Sequence, residues 1–373
     1  MTVIAYMTDV LFGAGTVREL PAALARFAIR RPLLITDAGL VRAGIADHAT
    51  GSVNDLPVFD ATPANPTEHA VEAALAHYTA NRCDGLIALG GGSVIDLAKA
   101  VALLATHPGP LAQYAAVNGG TERITARTAP LIAVPTTSGS GSEVGRATLI
   151  VLKDGHKRAL VSPHLLPKLA ICDADLTRSL PPPLAAGCGM DAIAHCVEAL
   201  LSPRLNPPAD AIALDGLVRG VGAIERAVHD PADDDARSEL MMASLEGGLA
   251  FQKGLGAVHA MSHALGAMPA PVLHHGTLNG VLLPATLRFN AQACAAPYAR
   301  IRTALAIPVG LELADYFRRL LARIGLPARL RDLGVDRAIL PQMADDATHD
   351  FSHLTNPRPA TAADYLGMLT ESY

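Results

Sequence analysis

An aspartate and a histidine stand four residues apart in the segment Asp191-Ala-Ile-Ala-His195. On a helix this spacing places both side chains on one face. The neighbouring Met190, Ile193 and Val197 are apolar, and a carboxylate and an imidazole buried together on such a face need either to pair or to bind a metal ion. An ordinary i,i+4 helical pair is the simpler interpretation of an isolated motif of this kind.

More histidines follow in the second half of the chain. His259-Ala-Met-Ser-His263 repeats the helical spacing, and His274 and His275 stand side by side a little later. Together with one aspartate, histidines from three places predict a four-ligand nitrogen and oxygen site for Zn²⁺ or Fe²⁺. Spacing alone nominates both His259 and His263 as ligands. Scattered core or surface histidines are the alternative, which is weakened because small residues flank these side chains.

Two polar turns in the first half follow apolar runs that read as strands. The run Leu86–Leu89 leads into Gly90-Gly-Gly-Ser93, and the run ending at Val134 leads into Pro135-Thr-Thr-Ser-Gly-Ser-Gly-Ser-Glu-Val144. Backbone amides at a glycine-rich helix start bind phosphate, and glycine allows the phosphate to come close. A lone Gly-Gly-Gly favours an ordinary tight turn, but two such turns in one α/β domain favour a nucleotide site.

Asp37 follows an early predicted strand. In dinucleotide folds a carboxylate at this point binds the ribose diol and repels a 2′-phosphate, which predicts NAD(H) as the cofactor. A helix N-cap aspartate is an equally good interpretation of the position.

These candidate residues lie in two halves of the chain that have different secondary-structure patterns. The first half alternates apolar runs with helical patterns, which predicts an α/β domain with a parallel sheet covered on both faces. Beyond the prolines at 181–183 the pattern is helical almost throughout. We therefore predict an α/β domain over 1–180 and an all-helical domain over 181–373. The predicted strands are Arg31–Thr36, Gly85–Leu89 and Pro130–Val134, and the predicted helices before residue 180 are Glu19–Phe27, Pro66–Asn81 and Ser93–Ala105.

Composition excludes several classes of protein. The 373 residues are 50% hydrophobic and carry a net charge of −5 with dispersed Lys and Arg, which argues against disorder and against a nucleic-acid partner. No stretch of about 18 uninterrupted apolar residues predicts a membrane span, and the first residues do not resemble a secretory signal. Five cysteines without a Cys-x-x-Cys pair are typical of a reducing cytoplasm.

Several motifs resemble the iron-containing (group III) alcohol dehydrogenases, in the family's order and over nearly the whole chain. They are Phe12-Gly-Ala-Gly15, Gly90-Gly-Gly-Ser-Val-Ile-Asp-Leu-Ala-Lys99, Pro135–Val144, Gly189-Met-Asp-Ala-Ile-Ala-His195, Gly256-Ala-Val-His-Ala-Met-Ser-His-Ala-Leu-Gly266 and His275-Gly-Thr-Leu-Asn-Gly-Val-Leu-Leu-Pro284. The resemblance implies a Rossmann-like N-terminal domain, a helical C-terminal domain and a cleft between them.

The resemblance also implies a set of site residues. The metal, usually iron and sometimes zinc, has the ligands Asp191, His195, His259 and His275, with His274 as a rival for the last. His263 is implied to be a residue near the metal rather than a ligand, and we expect it to relay the alcohol proton. The residues implied for the cofactor are Asp37, Asn65, Gly91, Gly92, Ser93, Asp96, Thr136, Thr137, Ser142 and Lys157.

The chain departs from the family pattern in three places. Two extra residues between His263 and His275 make His274 a rival ligand. Arg146 and Lys253 stand where family members have uncharged residues. A buried cation needs an anionic partner. A protein carboxylate such as Glu143 or Glu246 is one candidate, and an acidic group on the substrate is the other.

The expected function is metal-dependent, NAD(H)-linked hydride transfer between the cofactor and a small alcohol or aldehyde. The substrate is expected to carry an acidic group if Arg146 or Lys253 binds it, as in 4-hydroxybutyrate, succinic semialdehyde or a phosphonoaldehyde. The alternatives are a maleylacetate reductase-like enzyme, an NAD-dependent lyase similar to 3-dehydroquinate synthase, and a non-catalytic nucleotide-binding protein. We further expect a homodimer without nucleic-acid or membrane partners.

Overall fold

The structure is a computed structural model that describes residues 8–373. These residues form two compact units. The N-terminal unit comprises residues 8–137 and 142–179, and the C-terminal unit comprises residues 138–141 and 180–373.

The N-terminal unit is built around a parallel sheet of six strands in the order β1-β8-β5-β4-β2-β3, with an antiparallel pair β6-β7 beside it. The strands are β1 (Asp9–Phe12), β2 (Pro32–Ile35), β3 (Val58–Phe59), β4 (Gly85–Gly90), β5 (Leu131–Pro135), β6 (Ala147–Val151), β7 (Lys157–Val161) and β8 (Leu169–Cys172). Its helices are α1 (Leu20–Arg26), α2 (Ala38–Arg42), α3 (Ile45–Thr50), α4 (Glu68–Ala80) and α5 (Gly92–Leu104).

The central strands are apolar at every position because both faces of the sheet are covered. In β4, Leu86 and Ala88 join one hydrophobic cluster, whereas Ile87 and Leu89 join a separate cluster on the opposite face. Side chains alternate between faces along a strand, so a continuous apolar run indicates burial on both sides. This confirms the α/β prediction and brings the carboxyl ends of β2, β4 and β5 to one edge.

The C-terminal unit is helical. Its helices are α6 (Pro182–Leu201), α7 (Pro207–His229), α8 (Asp234–Ala250), α9 (Ala257–Gly266), α10 (His275–Asn290), α11 (Ala295–Ala304), α12 (Leu313–Arg323), α13 (Leu340–Thr348) and α14 (Ala362–Glu371). Two prolines occupy the first turn of α6, where a missing backbone N–H costs nothing.

Helix α6 forms the centre of this unit. It packs against α7, α8 and α10, and almost every residue from Ala185 onward is buried. By length and composition alone, α6 is the one described helix that could cross a membrane, but most of it is buried inside the protein, as in the core helix of a folded domain. It also carries Asp191, His195 and Glu198.

Candidate metal centre and nucleotide-binding loops

Three helices of the C-terminal unit bring the predicted metal ligands together. Asp191 and His195 come from α6, His259 from α9 and His275 from the first residue of α10. The Nε2 atoms of His195 and His259 each lie 3.7 Å from Asp191 Oδ1, and the Nε2 atom of His275 lies 3.8 Å from it. Three imidazole nitrogens therefore surround one carboxylate oxygen.

The spacing of these atoms fits a divalent ion. Metal–nitrogen bonds of about 2.0–2.1 Å in a tetrahedron place neighbouring ligand atoms about 3.4 Å apart. The observed separations exceed this value by only a few tenths of an ångström. Asp191, His195 and His259 are all buried, and their ligand atoms lie within 4.8 Å of one another. The donor set suits Fe²⁺ or Zn²⁺.

The electrostatics of the site also suit a cation. Burial lowers the pKa of His195 to about 4, so its nitrogen lone pair is free of a proton at neutral pH. Burial alone would raise the pKa of Asp191, but His195, His275 and His259 hold it well below its usual range. Burial opposes protonation of His259, yet Asp191 and Glu198 raise its pKa to about 9. A metal ion supplies the positive charge that this proton otherwise provides.

The structure places His274 and His275 in different roles. His274 caps the N-terminus of α10: its Nδ1 accepts the Thr277 N–H at 3.3 Å, and its Nε2 lies 3.8 Å from Cys188 Sγ. His275 is the neighbour whose Nε2 faces Asp191. The geometry thus places the Nε2 atom of His275, and not that of His274, beside Asp191 Oδ1.

His263 lies beside the ligands. Its ring stacks on that of His275, with centroids 5.3 Å apart, and on that of Phe351 at 5.8 Å. Its Nδ1 donates to Asp350 Oδ2 at 2.9 Å. Asp350 therefore fixes the orientation of the His263 ring.

Two further residues of the site were not predicted from the sequence. Glu198 Oε2 accepts the Nδ1–H of His259 at 2.6 Å, and Glu198 Oε1 accepts the Val258 N–H at 2.8 Å. Asn279 Nδ2 lies 2.7 Å from Asp191 Oδ1. An acid three residues after His195 on an apolar helix face, and an amide four residues after His275, were the available signals.

Lys253, one of the two predicted substrate cations, is buried and forms an ion pair with Asp210. A protein carboxylate is thus its partner, as one interpretation expected, although Glu143 and Glu246 were the suggested carboxylates. Arg146 lies in the other unit, just before β6, where its carbonyl accepts the Ser162 N–H at 3.0 Å.

The predicted phosphate-binding loop joins β4 to α5 in the N-terminal unit. Gly91 is the N-cap of α5, and the first amides of a helix have no partner within it. A Cβ added to Gly91 would lie 3.2 Å from Thr137 Oγ1, so the two polar turns are neighbours. Ser93 Oγ donates to the Ala64 carbonyl, and Lys157 Nζ donates to Asn65 Oδ1 at 3.3 Å. Cofactor candidates from separate segments therefore meet at this edge of the sheet.

Asp37 is the N-cap of α2. Its Oδ1 accepts the N–H groups of Gly39 at 2.8 Å and of Leu40 at 3.0 Å. This is the geometry of the capping interpretation. It does not exclude ribose binding, because a carboxylate has a second oxygen.

Asp96 and Ser142 bind each other inside the protein. Asp96 accepts the Ser142 hydroxyl at 2.6 Å and the Leu149 N–H at 2.9 Å. Lys99, which the sequence did not single out, is fully buried, and its Nζ donates to three backbone carbonyls of residues 142–147 at 2.7–2.8 Å. These contacts hold the end of the second polar turn in place. Buried Thr136 lies at the start of that turn, at the end of β5.

A parallel sheet with a glycine-rich helix start, combined with a cluster of three histidines and one aspartate, is typical of an enzyme that uses a nucleotide and a metal ion. Comparison with known proteins agrees. Residues 7–174 match the family model described as iron-containing alcohol dehydrogenase, and residues 185–373 match the model for its C-terminal domain.

The chain is 52% identical to 4-hydroxybutyrate dehydrogenase of Cupriavidus necator over all of both chains. It is 36% identical to 1,3-propanediol dehydrogenase of Citrobacter freundii, over 92% of each. A crystal structure of 1,3-propanediol oxidoreductase superposes with a TM-score of 0.93 at 32% identity, covering 100% of both chains. The chain therefore belongs to the iron-containing alcohol dehydrogenase family. It is an alcohol dehydrogenase, and its family implies the use of a metal ion and a nicotinamide nucleotide.

Proposed function

We propose that the enzyme interconverts a short ω-hydroxy acid of the 4-hydroxybutyrate type and the corresponding aldehyde acid, with NAD(H) as the cofactor. The observation that carries this proposal is the 52% identity to a 4-hydroxybutyrate dehydrogenase over the full length of both chains.

In this proposal, Asp191, His195, His259 and His275 hold one divalent ion, Fe²⁺ or Zn²⁺. Such an ion supplies Lewis-acid polarisation of the substrate oxygen. The nicotinamide nucleotide supplies the hydride chemistry. The residues of the chain bind and orient these groups: Glu198 aligns His259 through its Nδ1, which leaves Nε2 directed at Asp191.

In this proposal, His263 relays the proton of the alcohol. Asp350 accepts the hydrogen on Nδ1 of His263, and in this proposal Nε2 exchanges the substrate proton. Phe351 and His275 both stack on the ring and help to keep it in this orientation.

On the N-terminal side, we propose that Gly91, Gly92 and Ser93 bind the phosphates of the cofactor at the start of α5. The cofactor site in this proposal also includes Asn65, Thr136, Thr137 and Lys157. Asp96 and Ser142 contribute by holding the second polar turn in place. A homodimer in the cytoplasm stays a prediction, which sedimentation and cell fractionation test.

The substrate preference is tested by comparing an acid with its neutral analogue. We propose that Arg146, which stands where family members have an uncharged residue, binds the substrate carboxylate. Succinic semialdehyde should be reduced with a higher kcat/KM than butanal. Arg146→Ala should lower that preference by about 30-fold to several hundred-fold, since a bidentate contact to a carboxylate contributes on the order of 2–4 kcal/mol.

Lys253→Met serves as the comparison, since it removes a cation that is already paired within the protein. Its kcat/KM ratio for the two aldehydes should stay at the parent value. Equal kcat/KM for succinic semialdehyde and butanal in the parent enzyme would defeat the proposed substrate class.

The cofactor preference is tested at Asp37. Its Oδ1 caps α2, and we propose that Oδ2 binds the ribose hydroxyls and repels a 2′-phosphate. Asp37→Gly should raise the ratio of kcat/KM for NADPH to that for NADH. If the parent enzyme already prefers NADPH, Asp37 does not hold the ribose. Asp47→Gly, an exposed acid on α3, is the control and should leave the ratio unchanged.

A further inference from the structure

The side-chain amide of Asn279 lies in contact with several of the proposed metal ligands. It lies on α10 one turn after His275, and its side chain is fully buried. Its Nδ2 atom lies 2.7 Å from Asp191 Oδ1, 3.1 Å from His259 Nε2 and 3.2 Å from His275 Nε2. One amide nitrogen thus approaches three of the four proposed ligand atoms.

The chemistry of these atoms assigns the direction of the contacts. A carboxylate oxygen only accepts hydrogen bonds, and a neutral imidazole nitrogen without a hydrogen accepts as well. The acceptor for the Asn279 N–H is therefore the carboxylate oxygen of Asp191. The amide NH₂ has two hydrogens to donate. A rotated amide would instead set its carbonyl oxygen against the Asp191 carboxylate, which is repulsive.

This arrangement leaves the carbonyl oxygen of the Asn279 amide in an unfavourable environment. Asn279 Oδ1 is buried without a hydrogen-bond partner among the described residues. An unpaired buried polar atom costs about 1–3 kcal/mol. An apolar side chain of similar shape would avoid that cost, so the amide nitrogen is the part of the residue that the site uses.

We infer that Asn279 is a positioning residue of the metal site. Its N–H group fixes Asp191 Oδ1, the oxygen that all three imidazoles face. This carboxylate oxygen is thereby held in place before an ion arrives. The inference rests on the proposed ligand set and adds to it a residue that binds the ligands rather than the ion.

The test measures metal affinity in the absence of cofactor and substrate. Protein freed of metal by chelation is titrated with Zn²⁺ in competition with a chromophoric chelator. Asn279→Leu, which removes the donor but keeps the approximate volume, should weaken Zn²⁺ binding about 10- to 100-fold, the usual effect of losing a group that orients a ligand. Asn279→Asp should also weaken binding, because a carboxylate cannot donate to Asp191 and repels it.

A matched control lies on the same helix. Asn290 is also buried, and its side-chain amide exchanges two hydrogen bonds of 3.0 Å with that of Asn356. Asn290→Leu removes a buried amide about three turns away, so it should lower the melting temperature yet leave the Zn²⁺ affinity at the parent value. A merely structural role for Asn279 would give the same result in Asn279→Leu.

The possible outcomes distinguish a positioning role of Asn279 from a direct-ligand role and from a purely structural role. Tighter Zn²⁺ binding by Asn279→Asp would overturn the inference, because it would make residue 279 a direct ligand. Parent-like affinity in Asn279→Leu would overturn it as well. Failure of the ligand set itself has a separate signature, namely unchanged Zn²⁺ affinity in His195→Ala.

Discussion

At the scale of single residues, the buried acid Glu143 gives the enzyme a testable pH dependence. It lies next to the end of the second polar turn with only 2% of its surface exposed. Burial raises its pKa to about 7, against a weaker opposing effect of Lys99. Burial also lowers the pKa of Lys99 to about 8. Desolvation of the charged form is therefore the largest cause of the pKa shift in both Glu143 and Lys99.

The sign of the effect follows from proton binding. Between about pH 4.5 and 7 the folded protein keeps the Glu143 proton that the unfolded chain has lost, so the free energy of unfolding falls as the pH rises. The contribution of Glu143 to this fall in the free energy of unfolding amounts to about 3 kcal/mol. Glu143→Gln, which stays neutral, should remove it. Urea unfolding at several pH values measures the difference, with hydrogen exchange of β4 and β5 assigning the transition to this unit.

The control is Glu122→Gln, the same change at an exposed position of the same unit. Its unfolding free energy should follow that of the parent protein at every pH. Parallel profiles for Glu143→Gln and the parent would show that Glu143 is ionised in the folded state.

At the scale of elements, the metal site depends on how closely α6 and α10 approach. A Cβ added to Gly276 would lie 2.2 Å from the Gly187 carbonyl oxygen and 3.0 Å from Asp191 Cβ. Gly276→Ala must therefore push the start of α10, and with it His275, away from Asp191. We expect a loss of about 1–3 kcal/mol in stability and weaker Zn²⁺ binding by chelator competition.

Gly222→Ala tests whether any helical glycine would behave in this way. Gly222 lies in α7 with nothing within 4 Å of an added Cβ. Alanine there should stabilise the helix by about 0.5–1 kcal/mol and leave Zn²⁺ affinity unchanged. Parent-like Zn²⁺ affinity in Gly276→Ala would show that α10 can shift without moving His275.

At the scale of the whole molecule, the two ligand sets belong to different units. The proposed metal ligands all lie within residues 180–373, whereas Asp37, Asn65, Gly91 and Lys157 lie in the N-terminal unit. A ligand at 100 times its Kd adds about 2.7 kcal/mol to the stability of the part that it binds. Zn²⁺ should therefore slow hydrogen exchange mainly in α6, α9 and α10, and NADH mainly at the ends of β2 and β4 and the start of α5.

Mass-spectrometric hydrogen exchange on the parent protein, with each ligand alone, makes this comparison. Protection by Zn²⁺ that is strongest at the β4–α5 turn would contradict the assignment of the ligand set. His195→Ala should abolish the Zn²⁺ effect while leaving the NADH effect intact.

The sequence alone determined the features that depend on neighbouring residues. The fully apolar runs of β2, β4 and β5 predicted a covered parallel sheet, and the prolines at the start of α6 predicted the change to helices. The i,i+4 pair of Asp191 and His195 and the glycine-rich start of α5 were equally legible. The strands β1, β3, β6, β7 and β8 were not predicted, although β2, which was predicted, is no longer than β1 or β8. A short apolar run does not by itself distinguish a strand from a helical segment.

Only the tertiary structure decided which distant side chains meet. Glu198 and His259 are 61 residues apart in the chain, His263 and Asp350 are 87 apart, and Asp191 and Asn279 are 88 apart. Which of His274 and His275 turns its Nε2 towards Asp191 likewise depended on the direction in which the first turn of α10 faces α6. Helical periodicity tells which face of a helix is buried but not which partner it meets, because that depends on how the helices dock.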